Sequence, residues 1–313
     1  MDKQSKIILI SGPTASGKSN FAIKIAKKIN GEIINTDSMQ VYKQLKILTA
    51  RPSKEEQKNI KHHMYGIIDL NTKFSTGQWL RTAIKKINEI KKRNKIPILV
   101  GGTGLYFQSL INGLVKIPEI PIKIRNKIRL MQKKEGQKKF YKKLLKIDPK
   151  IKGRFDQNDT QRTIRAFEIK SFTKISMYEW LNKTKSEFKD EDFLKLYIDF
   201  KREDLIKRIS LRSIKMLEEG AIKEVKKFIK LKIKKNLSVN KVIGIDELTQ
   251  YLEEKINLNQ VQELISIKTR QYAKRQATWA RSRMATWRKI NPIEITDYIK
   301  KLKKSSLKLD QLT

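Results

Sequence analysis

The sequence predicts an α/β protein in which a parallel sheet forms the core. Short apolar runs at 7–10, 32–35 and 96–100 have the length of buried strands, and helical patterns separate them up to about residue 115. Helical, lysine-rich sequence then fills 119–193, and the strand-like run 194–199 resumes the sheet pattern. We therefore expect a sheet core that is interrupted by an inserted helical domain and completed by a helical C-terminal part.

The first apolar run leads into a glycine-rich loop with the pattern G-x-x-x-x-G-K-[ST]. The loop consists of Gly12, Pro13, Thr14, Ala15, Ser16, Gly17, Lys18 and Ser19. The amphipathic segment 21–29 follows, so the motif has the strand–loop–helix context that it requires. Backbone N–H groups of such a loop surround a phosphate chain, Lys18 adds a positive charge, and the Ser19 hydroxyl can reach Mg²⁺. We expect a diphosphate-binding P-loop on a P-loop NTPase-like parallel sheet.

Polar or small residues follow the next two apolar runs. Asp37 comes shortly after the run 32–35, and Gly101, Gly102 and Thr103 follow the run 96–100. Because carboxyl ends of parallel strands line one crevice, we expect Asp37 to face the P-loop, as a metal ligand, a general base or a helix cap. A P-loop ATPase usually has an acidic, metal-holding residue where Gly101 to Thr103 stand.

The predicted segments are 1–118 for the first part of the core, 119–193 for the inserted helical domain, and 194–313 for the rest of the core and the basic C-terminal helices. Within the insertion, Asp159 can cap a helix that has Gln161, Arg162 and Arg165 on one polar face and Ile164 towards the core. That face suits either solvent or RNA. The lysine-rich sequence after about residue 291 carries no motif.

Composition restricts the partners and the compartment. The chain has 71 Lys and Arg against 32 Asp and Glu, a formal net charge of +39, which predicts attraction to a polyanion such as RNA. A general bias towards lysine, isoleucine and asparagine also raises this charge without a functional cause. Cysteine is absent and no apolar stretch approaches ~18 residues, so we expect a cytoplasmic protein with no membrane partner.

His62 and His63 are too few for a zinc site and are predicted to be structural.

The C-terminal third mixes basic and aromatic residues. Its basic residues are Lys268, Arg270, Lys274, Arg275, Arg281 and Arg283, and its aromatic residues include Tyr272, Trp279 and Trp287. Aromatic rings stack on unpaired bases and guanidinium groups hold phosphates, so this composition suits RNA. The alternative is that the aromatic rings belong to the core and the charges to the surface.

Taken together, these motifs resemble the bacterial tRNA dimethylallyltransferases, the tRNA isopentenyltransferase family. The resemblance runs from about residue 6 to about 290. It rests on the P-loop, 37–40, 49–52, 62–63, 67–69, 74–75, 101–106, 161–165, the pattern of Arg202, Leu205, Arg208, Ile209 and Arg212, and 269–279.

The resemblance implies that a dimethylallyl group passes from dimethylallyl diphosphate to the exocyclic amine of the adenosine 3′ of a tRNA anticodon, with release of diphosphate. It implies Asp37 as the base, Thr103 as the catalytic threonine, Arg212 on the diphosphate and Mg²⁺ near Ser19. The anticodon-arm contacts that it implies are Asp37, Ser38, Met39, Gln40, Thr103, Arg125, Gln161, Arg162, Thr163, Ile164, Arg165, Lys241, Val242, Ile243, Gly244, Ile245 and Asp246. A monomer is expected.

The chain departs from the family where relatives usually have Gly-Tyr followed by Lys or Arg. Here the residues are Gly244, Ile245 and Asp246, which puts the aromatic and basic tRNA contacts expected there in doubt. Two other functions stay open: an isopentenyltransferase acting on free nucleotides, and a P-loop kinase or ATP-dependent RNA-binding protein. The inserted basic domain favours tRNA over a mononucleotide, and the missing strand-end acid disfavours ATP chemistry.

ATP consumption separates the last alternative from prenyl transfer. We expect the purified protein, with tRNA and Mg²⁺ present, to release no phosphate from ATP above the level of Lys18→Ala, because no acidic residue follows the run 96–100. A phosphate-release assay measures this. Steady hydrolysis that tRNA stimulates and Lys18→Ala abolishes would establish the ATPase instead.

Overall fold

A computed structural model gives the structure of the protein and describes residues 6–182, 184–235 and 237–302. Within these residues the centre is a six-stranded, wholly parallel sheet with the order β3-β2-β4-β1-β5-β6. The strands are β1 (Ile7–Ser11), β2 (Gly31–Asn35), β3 (His62–His63), β4 (Ile96–Gly101), β5 (Phe193–Ile198) and β6 (Arg288–Ile290). The parallel α/β core predicted from the apolar runs is confirmed.

Helices surround the sheet and form the segment between β4 and β5. They are α1 (Lys18–Ile29), α2 (Lys54–Gln57), α3 (Thr76–Lys92), α4 (Gly104–Asn112), α5 (Ile122–Glu135), α6 (Gln137–Ile147), α7 (Thr160–Thr173), α8 (Met177–Leu181), α9 (Arg202–Glu218), α10 (Ala221–Lys230), α11 (Ile245–Leu252), α12 (Leu258–Arg283) and α13 (Ile295–Lys301). Among the residues described, no helix is both long and apolar enough for a membrane crossing.

Strand β1 is apolar at each position from Ile7 to Ile10 because helices cover both faces of the sheet. Ile7 and Leu9 pack into one hydrophobic core with residues of α3 and α4, whereas Ile8 and Ile10 pack into a second core with α1. All four side chains are fully buried. Because alternate side chains point to opposite faces, a strand covered by helices on both faces must be apolar at every position.

The described chain divides into two compact units. One contains the sheet and comprises the residues up to Ile111 and from Phe188 onward; the other is the helical unit Asn112–Glu187. The helical unit has its own core, in which the rings of Phe140 and Phe167 stack at 4.8 Å. The predicted cap of α7 is present, since the Asp159 carboxylate accepts a hydrogen bond of 3.0 Å from the Arg162 N–H.

Two strands differ from the sequence-based expectation, and Trp287 follows the core alternative left open for the C-terminal aromatic residues. The C-terminal third was predicted to be helical, but β6 lies within it, and β3 was not predicted at all. Both strands are only two or three residues long, too short to show a period of two. Trp287 is 4 % exposed and packs edge-on against Phe107 at 5.3 Å, so it is a core residue and not an RNA contact.

Both histidines have structural contacts, as predicted, and Nδ1 of His62 forms a 2.7 Å hydrogen bond with the Ile60 carbonyl. His63 lies in β3, and its Nε2 atom forms a 2.6 Å hydrogen bond with Glu32 at the start of β2. Glu32 is 1 % exposed and also pairs with Arg93 at 2.7 Å and Lys95 at 3.0 Å. Burial raises the pKa of Glu32, but the hydrogen bonds from His63, Arg93 and Lys95 outweigh burial and lower it to about 2.

Glu32→Gln should destabilise the protein by about 2 kcal/mol at neutral pH, because it leaves three buried or half-buried donors without their charged partner. The stabilising contribution is complete above the ordinary pKa of 4.5 and disappears as the pH falls towards 2, since the folded pKa is the lower one. Urea unfolding across this range measures the difference between wild type and variant.

The matched control is Glu89→Gln, which removes a half-exposed carboxylate that pairs with Lys86 on α3. We expect it to change the free energy of unfolding far less than Glu32→Gln does, because an ion pair open to solvent is screened. A Glu32→Gln effect as small as that of the control, or one independent of pH, would contradict the role given to Glu32.

Candidate active site

The carboxyl ends of β1, β2 and β4 open into a cavity of about 420 Å³. Its lining includes Thr14, Ala15, Gly17, Lys18, Ser19, Asp37, Ser38, Met39, Gln40, Arg208, Arg212, Lys241, Val242, Ile243 and Tyr272. Most of the P-loop, the segment after β2 and part of the segment 241–246 therefore share one space. They come from distant parts of the chain because parallel strands bring their carboxyl ends to one edge of the sheet.

The P-loop gives this cavity a strong positive field. Gly17 has a φ of +83°, a left-handed conformation that favours glycine, and α1 begins directly after it. The ammonium group of Lys18 donates to the Pro13 carbonyl at 3.1 Å. Burial lowers the pKa of Lys18 to about 8, with the Asp37 charge opposing the shift and the Arg212 charge adding to it. An anion that enters would therefore stabilise the protonated lysine.

Helix α9 adds two guanidinium groups that brace the P-loop. Arg212 donates from Nη1 to the Thr14 hydroxyl at 2.8 Å, and Arg208 donates from Nε to the Ala15 carbonyl at 2.8 Å. Burial lowers the pKa of Arg212, and the nearby Asp37 charge opposes that shift. Guanidinium groups stay charged at any physiological pH, so the cavity combines fixed cations with the N-terminus of α1.

Asp37 is held in place by the last residue of β2. The buried Asn35 amide accepts from the Asp37 N–H at 2.8 Å and donates to the Asp37 and Met64 carbonyls at 2.9 and 3.1 Å. One Asp37 carboxylate oxygen, Oδ1, accepts from the Met39 N–H at 2.8 Å. Among the described residues, none donates a hydrogen bond to Oδ2, so this oxygen is available for a substrate proton or a metal ion.

Thr103 lies in the loop after β4, beside the segment that carries Asp37. Its N–H donates to the Thr36 carbonyl at 3.1 Å, and its hydroxyl accepts from the Ser38 N–H at 3.0 Å. Thr103 lines a neighbouring cavity of about 270 Å³, and Ser38 and Tyr272 line both cavities. Asp37 lines the larger cavity and Thr103 lines the smaller one. Ser38, which follows Asp37 in the chain and hydrogen-bonds to Thr103, lies at the boundary of both cavities.

The donor chemistry of the larger cavity fits Mg²⁺. This ion prefers oxygen ligands and commonly takes only one or two from the protein, with substrate phosphates and water completing the set. The Ser19 hydroxyl and the Asp37 carboxylate supply such oxygens on the same cavity wall. Across the residues described, no three His, Cys, Asp or Glu side chains form a metal-binding group.

The segment 241–246 is divided between cavity and interior. Lys241, Val242 and Ile243 line the larger cavity, whereas Ile245 is 6 % exposed and begins α11. Asp246 is exposed and pairs with Lys268 of α12 at 3.3 Å. The position where relatives usually have tyrosine is therefore a core position in this chain.

The predicted basic face of the helical unit contains a buried carboxylate. Glu168 is 1 % exposed and pairs with Arg125 at 3.5 Å, Arg129 at 3.4 Å and Arg165 at 3.2 Å. Three arginines thus share one negative charge. The other predicted residues here are the exposed Gln161 and Arg162, the buried Thr163, whose hydroxyl donates to the Asp159 carbonyl, and Ile164, which packs on the core.

Sequence reasoning missed the supporting residues of the site. Asn35 looked like the end of a strand, and Tyr65, which lines the cavity, attracted no attention. Burial and the nearby Asp37 charge raise the pKa of Tyr65, so it stays a neutral hydroxyl. Trp279 packs against the core from a half-buried position and also lines the smaller cavity. A side chain that acts by contacting another loop leaves no local pattern in the sequence.

A cationic crevice at the carboxyl ends of a parallel sheet, beside the loop G-x-x-x-x-G-K-[ST], defines the class of P-loop proteins. A family model described as IPP transferase matches residues 40–283. The chain is also 78 % identical to the tRNA dimethylallyltransferase of Pelagibacter ubique strain HTCC1062, over all of both chains. The chain belongs to the IPP transferase family.

Solved structures agree with this assignment. The tRNA isopentenylpyrophosphate transferase of Bacillus halodurans is 31 % identical, with a TM-score of 0.68 over 95 % of each chain. A eukaryotic dimethylallyltransferase acting on tRNA is 32 % identical, with a TM-score of 0.81 over 94 % of this chain and 75 % of its own. The predicted P-loop NTPase-like α/β fold is confirmed by these structures together with the parallel sheet.

Lys18→Ala should weaken inorganic pyrophosphate binding about tenfold at pH 7, because it removes a charged hydrogen-bond donor. In the wild type, affinity should decline as the pH rises through about 8, where free Lys18 loses its proton. Titration calorimetry between pH 7 and 9.5 measures both effects. Pyrophosphate titrates too, so the variant serves as the reference, and parallel pH curves for the two proteins would exclude Lys18 as the titrating group.

Proposed function

We propose that this chain transfers a dimethylallyl group from dimethylallyl diphosphate to the exocyclic amine of the adenosine 3′ of the anticodon in tRNA. The observation that carries the proposal is that Lys18, Arg212 and Asp37 line one cavity and that Thr103 lines the cavity beside it. This arrangement supplies a diphosphate cradle and a proton acceptor within one crevice. The names of the relatives supply the two substrates.

The P-loop side of the crevice stabilises the leaving group. In the reaction the amine nitrogen forms a bond to the allylic carbon, the carbon–oxygen bond breaks, and the oxygen keeps the electron pair as diphosphate. Lys18, Arg212 and the amide groups at the start of α1 are fixed around the place where this negative charge grows. Donors that are oriented in advance need no reorganisation when the charge develops.

Asp37 and Thr103 act on the nucleophile. An aromatic amine is a weak nucleophile, and it must lose a proton as it attacks. Oδ2 of Asp37 is the proposed proton acceptor. The Met39 N–H holds the other carboxylate oxygen, and the Asn35 amide holds the Asp37 backbone. The Thr103 hydroxyl, positioned by Ser38, can hydrogen-bond with the adenosine in the adjoining space.

Mg²⁺ is the metal that we assign, with the Ser19 hydroxyl as its protein ligand. When bound, the ion neutralises diphosphate charge. The strand-end acid of P-loop ATPases is absent from β4, which ends at Gly101. The helical unit Asn112–Glu187 is the proposed reader of the anticodon arm, and we propose that the chain works as a monomer in the cytoplasm.

The decisive experiment incubates the protein with dimethylallyl diphosphate, Mg²⁺ and either bulk tRNA or AMP, and measures which one gains the prenyl mass. We expect the gain on tRNA alone. Asp37→Asn should lower turnover by about 10²-fold or more, the range of a general base, and leave tRNA affinity nearly intact. Asp69→Asn, which alters an exposed carboxylate paired with Lys43, is the matched control. A turnover for Asp37→Asn within a few-fold of this control would remove Asp37 from the mechanism.

Arg162→Ala combined with Arg165→Ala should weaken tRNA binding and reduce the slope of log K against log salt by about 0.7 to 0.9 for each lost phosphate contact. Filter binding across a salt series measures the slope. The control pair is Lys27→Ala with Lys92→Ala, exposed lysines near the ends of α1 and α3, which run away from the crevice. Equal losses for the two pairs would mean that the basic charge acts diffusely. Lys303 and Lys304 of the lysine-rich tail, which should also matter little, lie outside the described residues.

A further inference from the structure

Gln276 of α12 contacts two loops of the active site at once. Its side-chain oxygen accepts a hydrogen bond from the Thr14 N–H of the P-loop at 2.8 Å. Its side-chain nitrogen donates to the Gly102 carbonyl, next to Thr103, at 3.0 Å. The first loop follows β1 and the second follows β4, so one amide joins the diphosphate cradle to the loop of the proposed catalytic threonine.

The residues around Gln276 are suited to these two hydrogen bonds. A Cβ atom at Gly102 would overlap the Gln276 side-chain amide, so only glycine allows the close approach. Gln276 is half-buried and lines the smaller cavity beside Thr103. An amide suits this place because it offers one acceptor and one donor, and a carboxylate or an amine would leave one of the two backbone groups without its partner.

Two polar groups of Thr14, the backbone N–H and the side-chain hydroxyl, are hydrogen-bonded to the long helices α12 and α9. Its amide binds Gln276 of α12, and its hydroxyl binds Arg212 of α9. The Thr14 N–H is therefore used by the protein itself. Through Thr14, the two helices hold this part of the P-loop in place.

We propose that Gln276 is a positioning residue that sets the separation between the diphosphate cradle and the Thr103 loop. This inference rests on the proposed prenyl transfer. Lys18 is held by the Pro13 carbonyl and Arg212 by the Thr14 hydroxyl, so we expect ground-state binding of the diphosphate to persist without Gln276. Alignment of the allylic carbon with the amine does depend on it, and a misplacement of about 1 Å can cost about 10²-fold in rate.

The test compares wild type, Gln276→Ala and Gln271→Ala, a matched control that removes an exposed glutamine from the same helix. We expect Gln276→Ala to lower kcat for prenyl transfer to tRNA by about 10²-fold, with KM for dimethylallyl diphosphate and the melting temperature within the range of the control. Hydrogen exchange of the Thr14 amide should accelerate in Gln276→Ala only. If Gln276→Ala does not fold, Gln276→Glu replaces it, since it keeps the acceptor for Thr14 and loses the donor to Gly102.

A double variant with Thr103→Ala tests whether Gln276 acts through that loop. We expect the double variant to lose little more activity than the worse single variant, because both changes disable one unit. The inference would be overturned if the activity losses of the two single variants multiplied in the double variant. It would also be overturned if Gln276→Ala had a kcat close to that of Gln271→Ala, or a raised KM at unchanged kcat. A wild type that adds no prenyl mass to tRNA would overturn the proposed function instead, and Thr14 exchange would still report on the contact.

Discussion

The site depends on the pairing of β4 with its neighbours, which continues for one step beyond the strands. The Thr36 N–H donates to the Val100 carbonyl at 2.8 Å, and the Thr103 N–H then donates to the Thr36 carbonyl at 3.1 Å. These two bonds extend the ladder into the loops and set Asp37 and Thr103 side by side. Gly101 allows it, because a Cβ atom there would collide with the Thr36 backbone.

The positive charges of Lys18 and Arg212 in the larger cavity are buried. Lys18 has a lowered pKa because its ammonium group is buried and Arg212 lies nearby, so keeping these cations charged here costs free energy. A bound anion would offset that cost. The neutral hydroxyls of Tyr65 and Tyr272, whose pKa values are raised by burial and by the Asp37 charge, add polarity without adding a further anion.

The elements that follow from local patterns were predictable from the sequence. The strand, loop and helix from Ile7 to Ile29 were identified because each has its own periodicity or spacing. Strands β3 and β6 were not, because two or three residues exist as strands only through their partners in the sheet. In the site, Lys18 and Asp37 stood at recognisable positions. The role of Asn35 was hidden, because its hydrogen bonds to the Met64 and Asp37 backbones depend on tertiary structure.

The carboxylate of Glu168 has a consequence for the kinetics and entropy of association. Arg125, Arg129 and Arg165 converge on it and remain between about a third and a half exposed, with side-chain values of 38 %, 49 % and 43 %. Their rotamers are already restricted by folding, whereas a free surface lysine loses its side-chain freedom only on contact. A polyanion that meets this cluster therefore orders fewer groups, and each ordered rotamer-rich side chain would have cost about 0.5–1.5 kcal/mol.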